Sequence, residues 1–321
     1  MGEGLLGRIF NNKCESLVQN SISKPILAPI IVILIGKANP HACDHVRQKM
    51  TYHTKSSCPK VTIITSVFNG EKYLESAIQS VIDQDYSNIE YIVVDGGSTD
   101  GTLDIIRKYE KFISKWISEK DDGMYYAINR GIRLAEGDII GNLNADDLLY
   151  DSNVVSKIAD QFSNSKIDFL YGDLQKIDEF YGLERNIKLS PVSYDTVLSS
   201  GHSTFVPHPA FYIRKACIEE LGLYDERYKY ASDFDLILRC MKRYSGKHLG
   251  FRVAKFRVHP SSITASGKLE SERIAILEKY GVIGRSSISD RVRFLAGWAL
   301  YLSKNIHFTY RIKKLYVHFR N

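Results

Sequence analysis

The sequence predicts an α/β protein: a mostly parallel sheet with helices on both faces, followed by C-terminal helices. Three observations predict it. Continuous β-branched runs such as VTIITSV (residues 61–67) are the pattern of strands buried on both faces. Segments with apolar residues at helical spacing lie between those runs. The two kinds alternate from Val61 to Asn153, and such alternation implies parallel strands joined by helical crossovers.

Residues 1–59 precede this pattern and read as an N-terminal extension. ILAPIIVILI (Ile26–Ile35) is an apolar run of ten residues with Pro29 inside it. A membrane-spanning helix needs about 20. The long polar stretch before it, with Glu3 and Glu15, does not suit a signal peptide. HACDH (His41–His45) is too compact for a tetrahedral metal site without distant partners. Met50 lies just before the first convincing strand, so residues 1–49 read either as a poorly structured extension or as an over-long reading frame.

From Val61 the elements follow in order. After the first strand, EKYLESAIQSVIDQ places Leu74, Ala77, Ile78, Val81 and Ile82 on one helical face. IEYIVVD (89–95) is a second buried strand. TLDIIRKYEKFI is a helix, with Ser98, Thr99 and Asp100 as cap candidates. KWISE is a short strand, GMYYAINRGIRLA a helix and GDIIGNL a strand. Beyond Asn153 the rhythm changes: IDFLYGDL and GLERNIKL form a strand pair, and HPAFYIRK is one more strand. SDFDLILRCMKRY is a helix with Phe234, Ile237, Leu238 and Met241 inward, and VAKFRVH closes an α/β domain spanning residues 60–265. Residues 266–321 read as C-terminal basic, amphipathic helices.

Composition sets the outer limits. The 321 residues are 44% hydrophobic and 25% charged, ordinary for a globular protein. The five cysteines are scattered and form no C-x-x-C pair, which suits reduced cytosolic thiols rather than a disulfide framework. Net charge is +6, but residues 285–321 carry eight Lys/Arg against Asp290 alone, a local +7, so the rest sums to −1. The basic character belongs to the tail, and no nucleic-acid partner is expected.

Ligands of an open parallel sheet bind beyond the carboxyl ends of its strands. Three strand ends here carry polar groups: Ser66 and Asn69, then Asp95, then Asn144, Asp146 and Asp147. Gly96, Gly97 and Gly101 allow close approach of backbone to a ligand. Neither G-x-G-x-x-G nor G-x-x-x-x-G-K-[ST] occurs, which argues against a dinucleotide dehydrogenase and a P-loop enzyme. Adjacent carboxylates at a strand end suit Mg²⁺ or Mn²⁺ completed by substrate phosphates. Equally, Asp146–Asp147 reads as a helix cap ahead of LLYDSNVV.

VTIITSVFN, EYIVVDGGSTDGT, DDGMYYAINRGIRLAEGDIIGNLNADD, PHPAFYIRK and SDFDLILR, in that order and spacing, break the tie. Together they resemble the bacterial family 2 glycosyltransferases, in the branch that builds capsule, O-antigen and related surface polysaccharides. The resemblance covers Lys60 to His259. It implies a GT-A fold (one Rossmann-like, nucleotide-binding α/β domain), a nucleotide-sugar donor that is usually UDP-linked, and Mn²⁺ or Mg²⁺. It places Ser66 and Asn69 near the nucleotide, Asp95 beside the base or ribose, and Asp122 in the same pocket. The D-x-D motif falls on NAD, so Asp146 becomes the metal ligand, Asn144 replaces the first aspartate and Asp147 is a helper. Gly96 stands where many members have an aspartate that touches the base.

Sugar transfer to a hydroxyl requires a base for the acceptor proton, and the resemblance assigns it to Asp233 at the start of a helix. The other reading of Asp233 is a cap, shared with Ser232. Asp235 is expected to pair with Arg239 at i+4. The resemblance puts His208 near sugar or acceptor and His259 in the metal shell. The expected activity is therefore inverting transfer, in the cytosol, to a lipid-linked saccharide acceptor. A sugar nucleotidyltransferase would need a Gly-rich, Arg-containing loop after the first strand, which is absent. A degenerate fold kept as a binding or assembly partner draws support from Asn144 and Gly96 alone. In the tail, Val292, Leu295, Ala296, Ala299, Leu300 and Leu302 share a helical face amid Arg291, Arg293 and Lys304. That pattern suits a helix lying on the inner face of the cytoplasmic membrane. It equally suits a helix packed on the catalytic domain.

Overall fold

The computed structural model describes residues 58–200, 206–263 and 268–281. Within it the alternation read from the sequence is realised. β1 (Val61–Val67), α1 (Leu74–Ile82), β2 (Ile89–Asp95), α2 (Thr102–Lys108), β3 (Lys115–Ser118), α3 (Met124–Leu134) and β4 (Ile139–Asn142) follow in order, with a 3₁₀ turn at Glu110–Phe112. The four strands are parallel, in the sheet order β3-β2-β1-β4.

Their continuous apolar character has a simple cause: each face of the sheet is covered. Ile63 and Val93 join one cluster with Leu74, Ile78 and Val81 of α1 and Ile106 of α2. Their chain neighbours Ile64, Ile92 and Val94 join the opposite cluster with Tyr125, Ile128 and Ile132 of α3. Alternate residues thus point to two cores, so no position is left for a polar stripe. Because β2 lies on one side of β1 and β4 on the other, chain direction across the sheet reverses there. A crevice opens at such a point beyond the carboxyl ends of β1 and β4.

The second half builds outward from β4. It comprises β5 (Leu148–Leu149), α4 (Val154–Asn164), β6 (Phe169–Asp178), β7 (Leu183–Ile187), α5 (Tyr194–Ser200), β8 (Phe211–Arg214), α6 (Lys215–Leu221), α7 (Ser232–Arg243), β9 (Gly246–Val258) and α8 (Leu269–Lys279). β8 runs antiparallel to β4 and β6, β6 runs parallel to β9, β7 pairs antiparallel to β6, and β5 antiparallel to β9. The beginning of β8 and the ends of β6 and β9 are thereby carried to the edge where β1, β2 and β4 end. Gly141 makes the β4–β8 pairing possible, since a Cβ there would sit 2.2 Å from the Tyr212 ring.

Several local readings change. HPAFYIRK is not all strand: His208–Ala210 is a 3₁₀ turn and β8 begins at Phe211, because Pro207 and Pro209 lack the N–H that a ladder needs. LLYDSNVV does not open a helix at its first residue. Leu148–Leu149 pairs with β9, and α4 starts at Val154 behind Asn153. That removes the cap reading of Asp146 and Asp147. In α7, Phe234, Ile237 and Leu238 are buried and Met241 partly so. Ile276 and Leu277 of α8 pack on Ala231, Phe234 and Leu238. Nearly all of the N-terminal extension, and the basic tail from Arg285, lie outside the described residues. No helix among the described residues is long and apolar enough to cross a membrane.

Candidate active site

The loops after β1 and β2 are tied to each other. Asn69 has φ +51°, a left-handed conformation that asparagine tolerates better than most residues. Its N–H donates to Ser98 Oγ at 2.7 Å, and its Oδ1 accepts from the Thr99 N–H at 2.9 Å. Gly70 N–H reaches Thr102 Oγ1 at 2.8 Å, and Glu71 N–H reaches Asp100 Oδ2 at 3.1 Å. Asp100 Oδ1 accepts from the Thr102 N–H at the start of α2, but the N-cap residue is Gly101, so none of the three expected cap candidates holds that position.

Asp95 is the hub. It is fully buried, and it accepts from the Gly97 and Ser98 N–H groups, from the Ser98 hydroxyl, and from Ser118 Oγ at 2.7 Å. Expected beside the base or ribose, it engages its carboxylate with the glycine loop and with Ser118. Ser66 is buried at the end of β1, while Asn69 is exposed. Asp122 is exposed too, whereas its neighbour Asp121 is half-buried and faces Gly96. A Cβ on Gly96 would lie 3.0 Å from both Asp121 oxygens, so Asp121 fills the space that an aspartate at 96 would need. Burial raises the Asp121 pKa, with Asp95 and Asp122 adding to it against the Gly123 N–H and Arg130.

Beyond β4 a chain of amides leads to the acidic pair. Asn142 Nδ2 donates to Asn144 Oδ1 at 3.0 Å, and Asn144 Nδ2 donates to Asp147 Oδ2 at 2.9 Å. Asp147 is fully buried, and its Oδ1 accepts from the Arg257 N–H at 2.9 Å. Burial, then the charge of Asp146, holds its pKa well above the ordinary carboxylate range. Asp147 is therefore a support of the loop rather than the expected helper at a cation, since both its oxygens are engaged and neither faces solvent.

Asp146 points the other way. Its Oδ2 lies 3.1 Å from His259 Nε2, and its carbonyl oxygen accepts from Arg257 Nε at 2.9 Å. His259 packs against Tyr73 in a tilted arrangement, with ring centroids 4.7 Å apart. The Tyr73 hydroxyl donates to Glu179 Oε2 at 2.6 Å, and Arg257 Nη1 bridges to Glu179 Oε1 at 3.0 Å. The two carboxyl groups are thus separated by orientation, Asp147 against the Arg257 N–H and Asp146 against His259.

Asp233 stands in the first turn of α7. Ala231, not Asp233, is the N-cap residue, and it makes no side-chain cap bond. Tyr125 donates from its hydroxyl toward Asp233 Oδ1 at 3.0 Å and the Tyr230 carbonyl at 3.2 Å. Burial, reinforced by Asp233, raises the Tyr125 pKa well above its ordinary value, so Tyr125 remains a donor. His208 Nε2 sits 2.8 Å from the Tyr224 hydroxyl, and burial lowers its pKa, which keeps the ring neutral. Tyr224 in turn stacks on Tyr125 at 5.4 Å. Glu272 of α8 accepts from the Lys229, Tyr230 and Ala231 N–H groups and fixes the chain entering α7. Asp235 is fully buried and pairs with Arg239 and Lys279, both at 2.8 Å.

Among the described residues no three His, Cys, Asp or Glu side chains gather around one point. Asp146 and His259 offer two adjacent donors, which suits a cation whose remaining positions are filled by substrate phosphates and water. Of the residues expected from the sequence, Asp146 lies beside His259, Asp233 beside Tyr125 and His208 beside Tyr224. The sequence reading names neither Tyr125, although DDGMYYA displays it, nor Arg257, two residues before His259 at the end of β9. Tyr73 and Glu179 meet across 106 positions and give no local signal.

The family model for glycosyl transferase family 2 matches residues 62–222. An uncharacterized glycosyltransferase of Mycobacterium tuberculosis is 33% identical over 186 residues, which is 57% of this chain and 70% of the relative. One from Rickettsia typhi is 29% identical over 271 residues, covering 77% and 81%. A PGL/p-HBAD biosynthesis glycosyltransferase of Mycobacterium bovis is 28% identical over 190 residues, covering 57% and 70%. Among solved structures, an S. aureus TarS fragment in complex with UDP-GlcNAc aligns with TM-score 0.59 at 17% identity, covering 78% of this chain and 77% of that one. Against a longer TarS chain the coverage of that chain is 44%. The mannosyltransferase PcManGT of Pyrobaculum calidifontis, in complex with GDP-Man and Mn²⁺, aligns with TM-score 0.55 at 17% identity, covering 76% and 70%.

Proposed function

The chain belongs to glycosyl transferase family 2, and from that premise we propose that it is an inverting, metal-dependent glycosyltransferase. In this reading it moves a sugar from a UDP-linked donor to a hydroxyl of a growing, lipid-linked surface polysaccharide. One observation carries the reading: a single sheet edge bears both the Asp146–His259 pair and Asp233 with its Tyr125 donor.

Inversion by in-line displacement needs a base for the acceptor hydroxyl and no enzyme nucleophile. Asp233 takes the acceptor proton while Tyr125 holds its Oδ1 in place. A positioned base of this kind is worth typically about 10²–10⁴-fold. Asp146 and His259 would hold Mn²⁺ or Mg²⁺, which as a Lewis acid offsets charge building on the leaving diphosphate. The loops fixed by Asp95 and Asn69 shape the nucleotide end, with Asp121 facing Gly96. The tail, with its local +7, supports placement at the inner face of the cytoplasmic membrane, beside a lipid-linked acceptor.

A second reading, a degenerate fold that binds without catalysis, rests on Asn144 at the first D-x-D position. Hydrolysis of a nucleotide-sugar by pure protein excludes it.

Thermal-shift titration with UDP-glucose, UDP-GlcNAc and GDP-mannose, with and without Mn²⁺, tests the proposal. A ligand at a hundredfold excess over Kd stabilises the folded state by about 2.7 kcal/mol. Asp146→Ala should lose the Mn²⁺-dependent part of the shift and keep the fold. Undiminished Mn²⁺-dependent binding by that variant overturns the metal assignment.

A further inference from the structure

The chain enters α7 through Lys229, Tyr230 and Ala231, whose three consecutive N–H groups converge on one carboxylate. Glu272 of α8 accepts from Lys229 at 2.8 Å through Oε1, and from Tyr230 at 2.7 Å and Ala231 at 2.9 Å through Oε2. Successive amides turned toward one point form an anion nest, and a carboxylate seated there makes charge-assisted bonds. Ala231 is the N-cap residue of α7 and has no side-chain cap of its own. Two of the three amides lie ahead of it, so Glu272 holds the approach to the helix and not its end alone.

The same stretch bears on Asp233. A trans peptide points its N–H and its C=O in opposite directions. In the peptide joining Tyr230 to Ala231, the N–H donates to Glu272 and the carbonyl accepts from the Tyr125 hydroxyl at 3.2 Å. That hydroxyl also lies 3.0 Å from Asp233 Oδ1. One peptide is thus gripped at both ends, by α8 on one side and α3 on the other, two residues before Asp233. Its tilt decides how the Tyr125 proton is shared and how the first turn of α7 aims its carboxylate.

Packing keeps Glu272 in place. One turn further along α8, Ile276 and Leu277 lie against Ala231, Phe234 and Leu238. Residues four apart on a helix are surface neighbours, so positions 272 and 276 are presented to α7 together. Lys279 then pairs with Asp235 of α7 at 2.8 Å. We propose that Glu272 is a positioning residue: through the Tyr230–Ala231 peptide it aims the Asp233 carboxylate at the acceptor hydroxyl. The inference rests on the proposed function and adds to it a residue of α8, beyond the α/β domain expected from the sequence. Glu272 acts through Asp233 and needs no contact with sugar or cation.

The test uses the full chain at fixed Mn²⁺ with UDP-glucose, UDP-galactose and UDP-GlcNAc, water serving as the acceptor. Kd and the rate of UDP release are measured for wild type, Glu272→Gln, Asp233→Asn and the double variant. Glutamine keeps the volume but gives up one of the two acceptor oxygens. Displacing a reacting group by about 1 Å can cost about 10²-fold, so the loss of one oxygen should lower kcat about 10-fold and leave each Kd within about threefold. The double variant should release UDP at the rate of Asp233→Asn alone, because aiming a base that is already lost changes nothing. A residue that only stabilises the fold would act independently, so a double variant slower again by about 10-fold overturns the inference. Wild-type kcat in Glu272→Gln does the same. Glu272→Asp, which keeps the charge and shortens the reach, carries the same comparison if Glu272→Gln does not fold. Wild-type turnover in Asp233→Asn overturns the base assignment, and this inference falls with it.

Discussion

Adjacent carboxylates at positions 146 and 147 do different work because their surroundings differ. Asp147 is fully buried and engaged at both oxygens, whereas Asp146 keeps 28% of its side chain accessible and faces His259. Sequence shows that both lie beyond a buried strand but not which one turns outward, because past Asn142 the strand period no longer sets direction. The same limit explains Asp121 and Asp122, where the neighbouring residue faces Gly96. Asp233 is named by the family resemblance rather than by its own surroundings, and the structure sets it in the first turn of α7 beside the Tyr125 hydroxyl. Asp233→Asn preserves shape and an oxygen to accept from Tyr125 but lowers basicity. It should retain UDP-sugar affinity and reduce kcat by about 10²-fold. Steady-state kinetics beside a binding titration measures both, and near-wild-type turnover removes Asp233 from the mechanism.

At the scale of elements, the site is held by contacts between segments distant in the chain. Glu179, in the turn between β6 and β7, accepts from Tyr73 at the start of α1 and bridges to Lys72 and to Arg257 of β9. Three donors meet on one carboxylate, and no local pattern announces them. The Tyr73 hydroxyl, with Lys72 and Arg257, holds the Glu179 pKa down to about 2, from an ordinary 4.5. A carboxylate whose folded pKa is depressed stabilises the protein fully above its unfolded pKa and loses that contribution as pH falls through the folded one. Glu179→Gln should therefore lower Tm by a constant amount above about pH 5.5, with the gap from wild type closing between about pH 4.5 and 2. Scanning calorimetry of both proteins across that range gives the gap directly. A gap that stays constant down to pH 2 means that Glu179 carries no charge-dependent stabilisation.

For the whole molecule, the parallel half was readable and the antiparallel half only in pieces. From Val61 to Asn142 the three inner strands are buried on both faces, the edge strand β3 only partly, and each connection is a short helix, so pattern and topology coincide. Beyond it β6 and β9 pair in parallel across the helices of the second half, a register with a shift at Gly172–Leu174 that no periodicity encodes. The basic tail is the remaining large-scale feature, and its role is argued from sequence. Residues 285–321 concentrate a net +7 and interleave it with Trp298, Tyr301, Phe308, Tyr310 and Tyr316, residues suited to a headgroup layer. Each basic residue close to an anionic leaflet contributes about 1 kcal/mol, so the cluster can hold the enzyme at a membrane without a spanning segment. We expect a protein ending at Gly284 to leave anionic vesicles that the full chain binds at low salt, yet to hydrolyse free nucleotide-sugar at the full-length rate. Both quantities come from one preparation, by vesicle co-sedimentation and by assay of released UDP. Failure of the full chain to bind vesicles, or of the shortened chain to fold, assigns the tail to packing against the catalytic domain instead.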